Sequence, residues 1–222
     1  MFVISDVKKN YGKKQVLKGV ELSIAPGECI GLLGVNGSGK STLLNILAGV
    51  IPAKSGSFSF EGRDLMKDRR LRESLVGFVP QNPPLIEELN ARDNLLLWYE
   101  PEVMKKSLEV GLLKALGIDG FLKTAVGKMS GGMKKRLSIA CAMSRNVNLM
   151  LMDEPSAALD PVCKEQIKAY VRDFCAAGNS VIISTHDITE LEICHRLYVL
   201  KDGRLCPYSF NGDADSLARA LL

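Results

Sequence analysis

The period of the hydropathy pattern changes along the chain. Up to residue 81, apolar positions come in short alternating or continuous runs, as strands do; from 87 to 128 they recur at helical spacing. Beyond 145, short continuous runs alternate with helical stretches. Residues 2–8 and 19–24 predict two strands of a hairpin, linked by the basic, turn-rich stretch 9–18. Ala25-Pro26-Gly27-Glu28 reads as a turn into a short buried strand, Cys29-Ile30-Gly31-Leu32-Leu33. Leu43, Leu44, Ile46, Leu47 and Val50 then lie at helical spacing. A turn at 52–56, a strand at 57–61, a charged surface helix at 68–74 and a buried-type strand at 75–80 follow. Asn82-Pro83-Pro84 continues neither strand nor helix, so this part of the pattern stops at Gln81.

The helical region 87–128 is punctuated at Pro101, Gly111, Gly117 and Gly120. Leu95, Leu96, Leu97 and Trp98, then Leu108, Leu112, Leu113 and Leu116, form apolar faces that serve either the core or a partner protein. Ser130-Gly131-Gly132 opens a helix over 133–144 with Leu137, Ile139, Ala140 and Met143 inward. A buried strand at 148–152 ends in Asp153-Glu154. Asp160 as N-cap, with Pro161 at the first helical position, starts a helix facing inward through Ile167, Tyr170, Val171 and Phe174; Gly178-Asn179 ends it. A strand at 181–184, a helix running through Cys194, and strands at 197–200 and around Leu205, joined by Lys201-Asp202-Gly203-Arg204, complete the pattern. The expectation is an α/β fold in one domain, 1–222. Its core comprises 1–81 and 145–222, beginning with an antiparallel β-subdomain, and 82–144 form an inserted α-helical subdomain.

Composition narrows the function classes. The hydrophobic share of 46% supports a proper core. A net charge of +4 lacks the clustered basic stripe that nucleic acid demands, so no nucleic-acid partner is expected. None of the six cysteines stands in a C-x-x-C pair, which points to free thiols in a reducing compartment. Residues 1–11 lack the apolar core of a signal peptide. No apolar run approaches the ~18 residues that span a bilayer, so the chain is expected to be soluble by itself.

The chemistry concentrates at Gly34-Val35-Asn36-Gly37-Ser38-Gly39-Lys40-Ser41-Thr42, which fits the phosphate-loop pattern G-x-x-x-x-G-K-[ST]. Its glycines let successive N–H groups turn toward a phosphate chain. Lys40 reaches the β- and γ-phosphates, the Ser41 hydroxyl ligates Mg²⁺, and a helix starting at Lys40 adds its positive end. A nucleoside triphosphate is the expected ligand. Four weaker signals surround the loop. Tyr11, with Val16 beside it, either stacks on an adenine or merely covers the hairpin. Gln81 sits at a strand end, where ligand groups collect in α/β sheets. Ser130-Gly131-Gly132 is either a second anion site or an ordinary capped helix start. Asp153 and Glu154 are adjacent carboxylates at the end of a buried strand, costly unless they serve something.

In their order, these motifs resemble the nucleotide-binding subunit of ABC transporters over nearly the whole chain. Tyr11 matches the adenine-stacking aromatic, 34–42 the Walker A loop, Gln81 the Q-loop glutamine and Met129-Ser130-Gly131-Gly132-Met133 the signature. Leu149-Met150-Leu151-Met152-Asp153-Glu154 matches Walker B with its following glutamate, Ser156-Ala157-Ala158-Leu159-Asp160 the D-loop and His186 the switch histidine. The resemblance implies a P-loop NTPase core with a RecA-like mixed sheet, and ATP and Mg²⁺ as cofactors. Lys40 would neutralise phosphate charge. Ser41, Gln81 and Asp153 would hold Mg²⁺, Glu154 would act as general base, and His186 would contact the γ-phosphate. It also implies a head-to-tail homo- or heterodimer, in which Ser130 and Gly132 of one copy close on ATP held by the other, with Asp160 near the interface. Separate transmembrane permease subunits, and a place on the cytoplasmic face of the cell membrane, complete the picture. The signature departs from Leu-Ser-Gly-Gly-Gln at Met129 and Met133, removing any contact from the usual glutamine. Ser-Gly-Gly-Met followed by Lys-Lys-Arg-Leu resembles the drug- and polymer-exporting branch. The competing expectation is a non-transport ABC ATPase of a soluble assembly complex, such as one for iron–sulfur clusters.

Overall fold

The computed structural model describes residues 1–82, 84–144, 146–157 and 159–221, without the side chains of 214–216. Pro83 of the expected break and Ala158 of the D-loop-like stretch lie outside the described residues. The N-terminal hairpin is β1 (Phe2–Tyr11) and β2 (Lys14–Ile24), with β3 (Cys29–Leu33) after it. Both hairpin strands run further than the sequence pattern predicts. The stretch 9–18 is no linker, because Lys8 pairs with Lys18, Lys9 with Leu17 and Tyr11 with Lys14. Fully buried Leu17 anchors this extension, while its lysines are exposed or partly exposed, a composition that reads as loop when seen without a partner strand.

Next come α1 (Lys40–Ala48), β4 (Ser55–Phe60), β5 (Arg63–Asp64), α2 (Arg69–Leu75) and β6 (Val76–Val79). The helical region consists of α3 (Ala91–Leu96), α4 (Pro101–Glu109), α5 (Leu112–Ala115), two 3-10 turns (Ile118–Phe121 and Val126–Lys128) and α6 (Gly131–Ala142). The remainder is β7 (Leu149–Asp153), α7 (Pro161–Ala176), β8 (Ser180–Ser184), α8 (Ile188–Leu191), β9 (Arg196–Lys201), β10 (Arg204–Tyr208) and α9 (Ala214–Leu221). The helix expected to run through Cys194 is cut to the single turn α8. The His195 N–H donates to the Cys29 carbonyl (2.8 Å) and the Cys29 N–H to His195 Nδ1 (3.0 Å), which pulls the chain onto the sheet instead. Helix α9, which the hydropathy pattern did not suggest, is tied down through buried Leu217 in a cluster with Leu33, Leu197 and Val199.

Two sheets form: an antiparallel one in the order β2-β1-β4-β5, and a larger one in the order β10-β9-β3-β8-β7-β6. In the larger sheet every pairing is parallel except that of β9 with β10. Strands β3, β7 and β8 are buried at every position, as parallel strands covered on both faces must be. Their alternation divides the apolar interior. Leu149 and Leu151 of β7 pack toward α1 and the antiparallel sheet. Met150 and Met152 face the cluster that also holds Leu95, Leu113, Leu137 and Val171. The helical region therefore shares its apolar cluster with the sheet. The parallel register aligns the C-terminal ends of β3, β6, β7 and β8, each followed by a loop bearing polar groups.

Candidate nucleotide-binding site

The loop after β3 is shaped by backbone conformation. Gly34, Gly37 and Gly39 all have positive φ (152°, 77° and 114°). A Cβ on Gly34 would lie 2.8 Å from the Leu200 carbonyl, and one on Gly39 would lie 2.9 Å from Val16 Cγ1. Glycine is required at both positions for space as well as conformation. Val16 thus abuts the loop, whereas Tyr11 is a half-exposed ring at the end of β1 with the Lys9 ammonium 5.4 Å from its centroid. Val35, Asn36 and Gly37 are exposed at the loop tip, and Ser38 Oγ is buried without a partner. Gly39 caps α1 without any side-chain acceptor. The first N–H groups of α1, over Lys40, Ser41 and Thr42, therefore have no intrahelical acceptor, and the positive end of the helix is directed at the loop.

Lys40 is 6% exposed and folds back to donate to the Gly34 carbonyl (2.7 Å). Its Nζ also lies 3.2 Å from His186 Nε2. Burial pulls its pKa down, against the pull of Glu154 and Asp153. His186, on the loop after β8, is likewise shifted down, by burial first and then by Lys40, with Glu154 opposing.

The carboxylate pair follows from β7. Asp153 is buried, and its Oδ1 accepts a short hydrogen bond from Ser184 Oγ. Glu154 has φ 49°, an uncommon value for a residue with a side chain and a form of local strain that clusters at working sites. Its N–H donates to the Ser184 carbonyl (2.9 Å). One carboxylate oxygen accepts from Gln81 Nε2 (3.0 Å), and the other lies 3.3 Å from His186 Nε2. Lys40 at the start of α1 and Gln81, Glu154 and His186 on three separate loops are thus within 3.3 Å of one another in a chain of side chains. A cleft of about 490 Å³ opens beside Glu154 and His186, lined also by Ser156, Lys164 and Asp187.

Ser130, Gly131 and Gly132 do not join this group. Among the described residues, none of their hydrogen bonds reaches it. Ser130 Oγ accepts locally from the Met133 N–H (3.2 Å), and Gly132 sits near Leu159. Asp160 caps α7, its Oδ1 accepting from the Cys163 N–H (2.9 Å). Sequence reasoning missed Ser184, Glu190 and Lys135. Glu190 is 1% exposed, and burial raises its pKa against hydrogen bonds to Thr185 and Ser156. Lys135 is pushed down to about 8 by burial, with Asp153, Glu154 and Glu190 opposing. Only the strand-end position of Ser184 carried a sequence signal.

Residues 17–157 match the family model described as ABC transporter. The Nod factor export ATP-binding protein I of Paraburkholderia xenovorans (strain LB400) is 36% identical over 89% of this chain and 67% of its own length. The linearmycin resistance ATP-binding protein LnrL of Bacillus subtilis (strain 168) is 34% identical over 92% of this chain and 68% of its own. Among solved structures, the dimeric post-hydrolysis state of the ATP-binding cassette MJ0796 bound to ADP and Pi has a TM-score of 0.84 at 30% identity, covering 96% of this chain and 100% of that one. With a phosphate loop, a strand-end carboxylate pair and a histidine held together on a P-loop NTPase fold, this chain belongs to the ABC transporter family.

Proposed function

We propose that this chain is the ATP-binding and ATP-hydrolysing subunit of a membrane exporter, working as a dimer docked on separate membrane-spanning permease subunits. The observation that carries the reading is the linkage of Lys40, Gln81, Glu154 and His186 at the ends of neighbouring parallel strands. Phosphoryl transfer to water needs neutralised charge and an oriented nucleophile. Lys40 and the N–H groups of 34–42 supply the first. Glu154, oriented by Gln81 and His186, supplies the second as general base. Once nucleotide is bound, Lys40 leaves the Gly34 carbonyl for phosphate, and His186 follows the γ-phosphate. Tyr11 and Val16 cover the base.

Ser41, Gln81 and Asp153 would supply only oxygen donors, and Gln81 spends its nitrogen on Glu154, leaving its amide oxygen available to a cation. Such hard donors fit Mg²⁺, which binds through a few protein oxygens together with substrate phosphates. When bound, the ion neutralises charge on the phosphates.

In the dimer, Ser130, Gly131 and Gly132 of one copy close head-to-tail on nucleotide held by the other, with Asp160 near the interface. That arrangement accounts for two anion-binding helix starts that do not meet within one chain. On this reading 82–144 act as a helical lobe on the core formed by 1–81 and 145–222. A groove of about 380 Å³ next to Gln81, lined by Phe78, Pro80, Leu85, Trp98 and Cys141, is suited to a permease segment. Among the described residues no helix is long and apolar enough to cross a membrane, so attachment to the cytoplasmic face would run through those subunits. The export assignment follows the relatives' names, which do not favour a soluble assembly ATPase.

The test is a tagged pull-down from detergent-solubilised native membranes, read by mass spectrometry, beside an ATPase assay of the purified chain with Mg²⁺. A polytopic membrane protein in near-equal amount and measurable turnover are expected. Repeated recovery of soluble partners alone would overturn the transport reading and leave the ATPase chemistry standing.

A further inference from the structure

Three consecutive basic residues on α6, Lys134, Lys135 and Arg136, point three ways because successive helical side chains are about 100° apart. Lys134 pairs with Glu87 at the surface (3.0 Å). Arg136 donates to the Leu116 carbonyl (3.0 Å) and lies over the Phe121 ring, staying within the helical region. Lys135 crosses to the sheet. It is 4% exposed, and its ammonium donates to the carbonyls of Pro80 (3.1 Å), Asp153 (3.3 Å) and, at longer range, Gln81 (3.4 Å).

Three donors thus meet three backbone acceptors, all from the ends of β6 and β7 or just beyond. A buried ammonium held by neutral carbonyls is an expensive way to fill space, since an apolar side chain of similar volume avoids the desolvation. The acceptors suggest what the charge is for. The carbonyl of Asp153 and the N–H of Glu154 belong to one peptide unit. Lys135 holds its oxygen, and the Ser184 carbonyl holds its N–H at 2.9 Å. That clamped peptide leads straight into Glu154 with its φ of 49°. The remaining two acceptors fix the backbone on either side of Gln81, whose side chain holds Glu154.

We propose that Lys135 is a positioning residue for hydrolysis. It fastens the helix that begins at Ser130 to the backbone that aims Gln81 and Glu154, so that movement of the helix onto nucleotide is carried to the general base. This rests on the ATPase reading above. Lys135 touches no reacting atom in that scheme and acts through Glu154 and Gln81.

The test compares steady-state ATPase kinetics, binding of a fluorescent ATP analogue and Tm for the full chain and for Lys135→Met, Lys135→Arg, Lys135→Gln and Glu154→Gln. Lys135→Met keeps length and apolar volume and loses every donor. It is expected to lower kcat at least ~10-fold, as slight misplacement of a catalytic group does, with KM and analogue affinity nearly unchanged. Lys135→Arg, which restores charge and donors, should recover most of the turnover. If the Met variant does not fold, Lys135→Gln, with two donors on a shorter stem, carries the same selective loss of kcat. Wild-type turnover that Glu154→Gln abolishes and Lys135→Met leaves intact overturns the positioning role alone. A parallel fall of kcat, affinity and Tm without rescue by Arg also overturns it, in favour of a purely structural role. A wild-type chain that hydrolyses no ATP overturns the functional reading and this inference with it.

Discussion

Glu154 is held by its own backbone turn, by the Gln81 amide and by His186, and each hold tells against a structural carboxylate that happens to lie in a loop. Replacing it with Gln keeps size and an acceptor for Gln81 but removes the base. Turnover should fall by roughly 10²–10⁴-fold while ATP affinity survives, as measured by single-turnover hydrolysis beside equilibrium binding. Near wild-type hydrolysis by this variant would end the role given to Glu154. Lys40→Ala should act on the other quantity: it removes the charge that meets the phosphates, so nucleotide affinity itself drops. Unchanged affinity in isothermal titration would count against the loop. Both residues were legible because their motifs constrain identity and spacing. Lys135 and Ser184 were not. Nothing in Lys-Lys-Arg says which member turns toward the sheet, and a serine ending a strand gains meaning only when its neighbour proves to be β7.

At the scale of elements, local chemistry predicted the caps well. Ser130 and Asp160 each accept from the N–H three residues on, as their positions before Gly131 and Pro161 suggested. Ser130→Ala should cost about 1 kcal/mol of stability, the worth of such a cap, seen as a small shift in denaturation midpoint. If Ser130 also meets nucleotide across a dimer, turnover will fall by much more than that shift explains; equal, small losses would reduce Ser130 to a cap. Where elements depended on partners, the sequence pattern fell short. The lysines of 9–18 read as a linker because a strand with one solvated face, viewed alone, resembles a polar loop. The helix through Cys194 stopped after one turn because Cys29, at the start of β3, competes for the His195 backbone and ring.

For the molecule as a whole, the loops after β7 and β8 are braced from outside by α7. Lys164 of that helix pairs with Asp187 at 2.6 Å, both partly buried. Burial pushes the Asp187 carboxyl up, but Lys164 and Thr189 outweigh it and hold the group below its ordinary 3.8. A depressed carboxylate stabilises the fold above its unfolded pKa and loses that contribution as pH falls through the folded value. Asp187→Asn can keep the cap on Thr189 and loses the ion pair. The variant should be less stable than wild type by at most ~1 kcal/mol near neutrality. The gap in urea midpoint should close as the solution is acidified through the folded pKa of Asp187; a gap independent of pH would assign the loss to something other than the pair. The same contrast marks the limit of reading a chain by its order. Sequence alone picked out the glycine-rich loop 34–42, the strand–helix alternation and Lys40, Gln81, Glu154 and His186 as candidates, because spacing within a motif and periodicity within an element are local properties. Tertiary structure alone decided that β3, β6, β7 and β8 end side by side, that Glu154 is gripped from two loops, and that Lys135 reaches under them. Those contacts join residues far apart in the chain, and which of them form is set by how the two faces of one sheet bury their apolar sides.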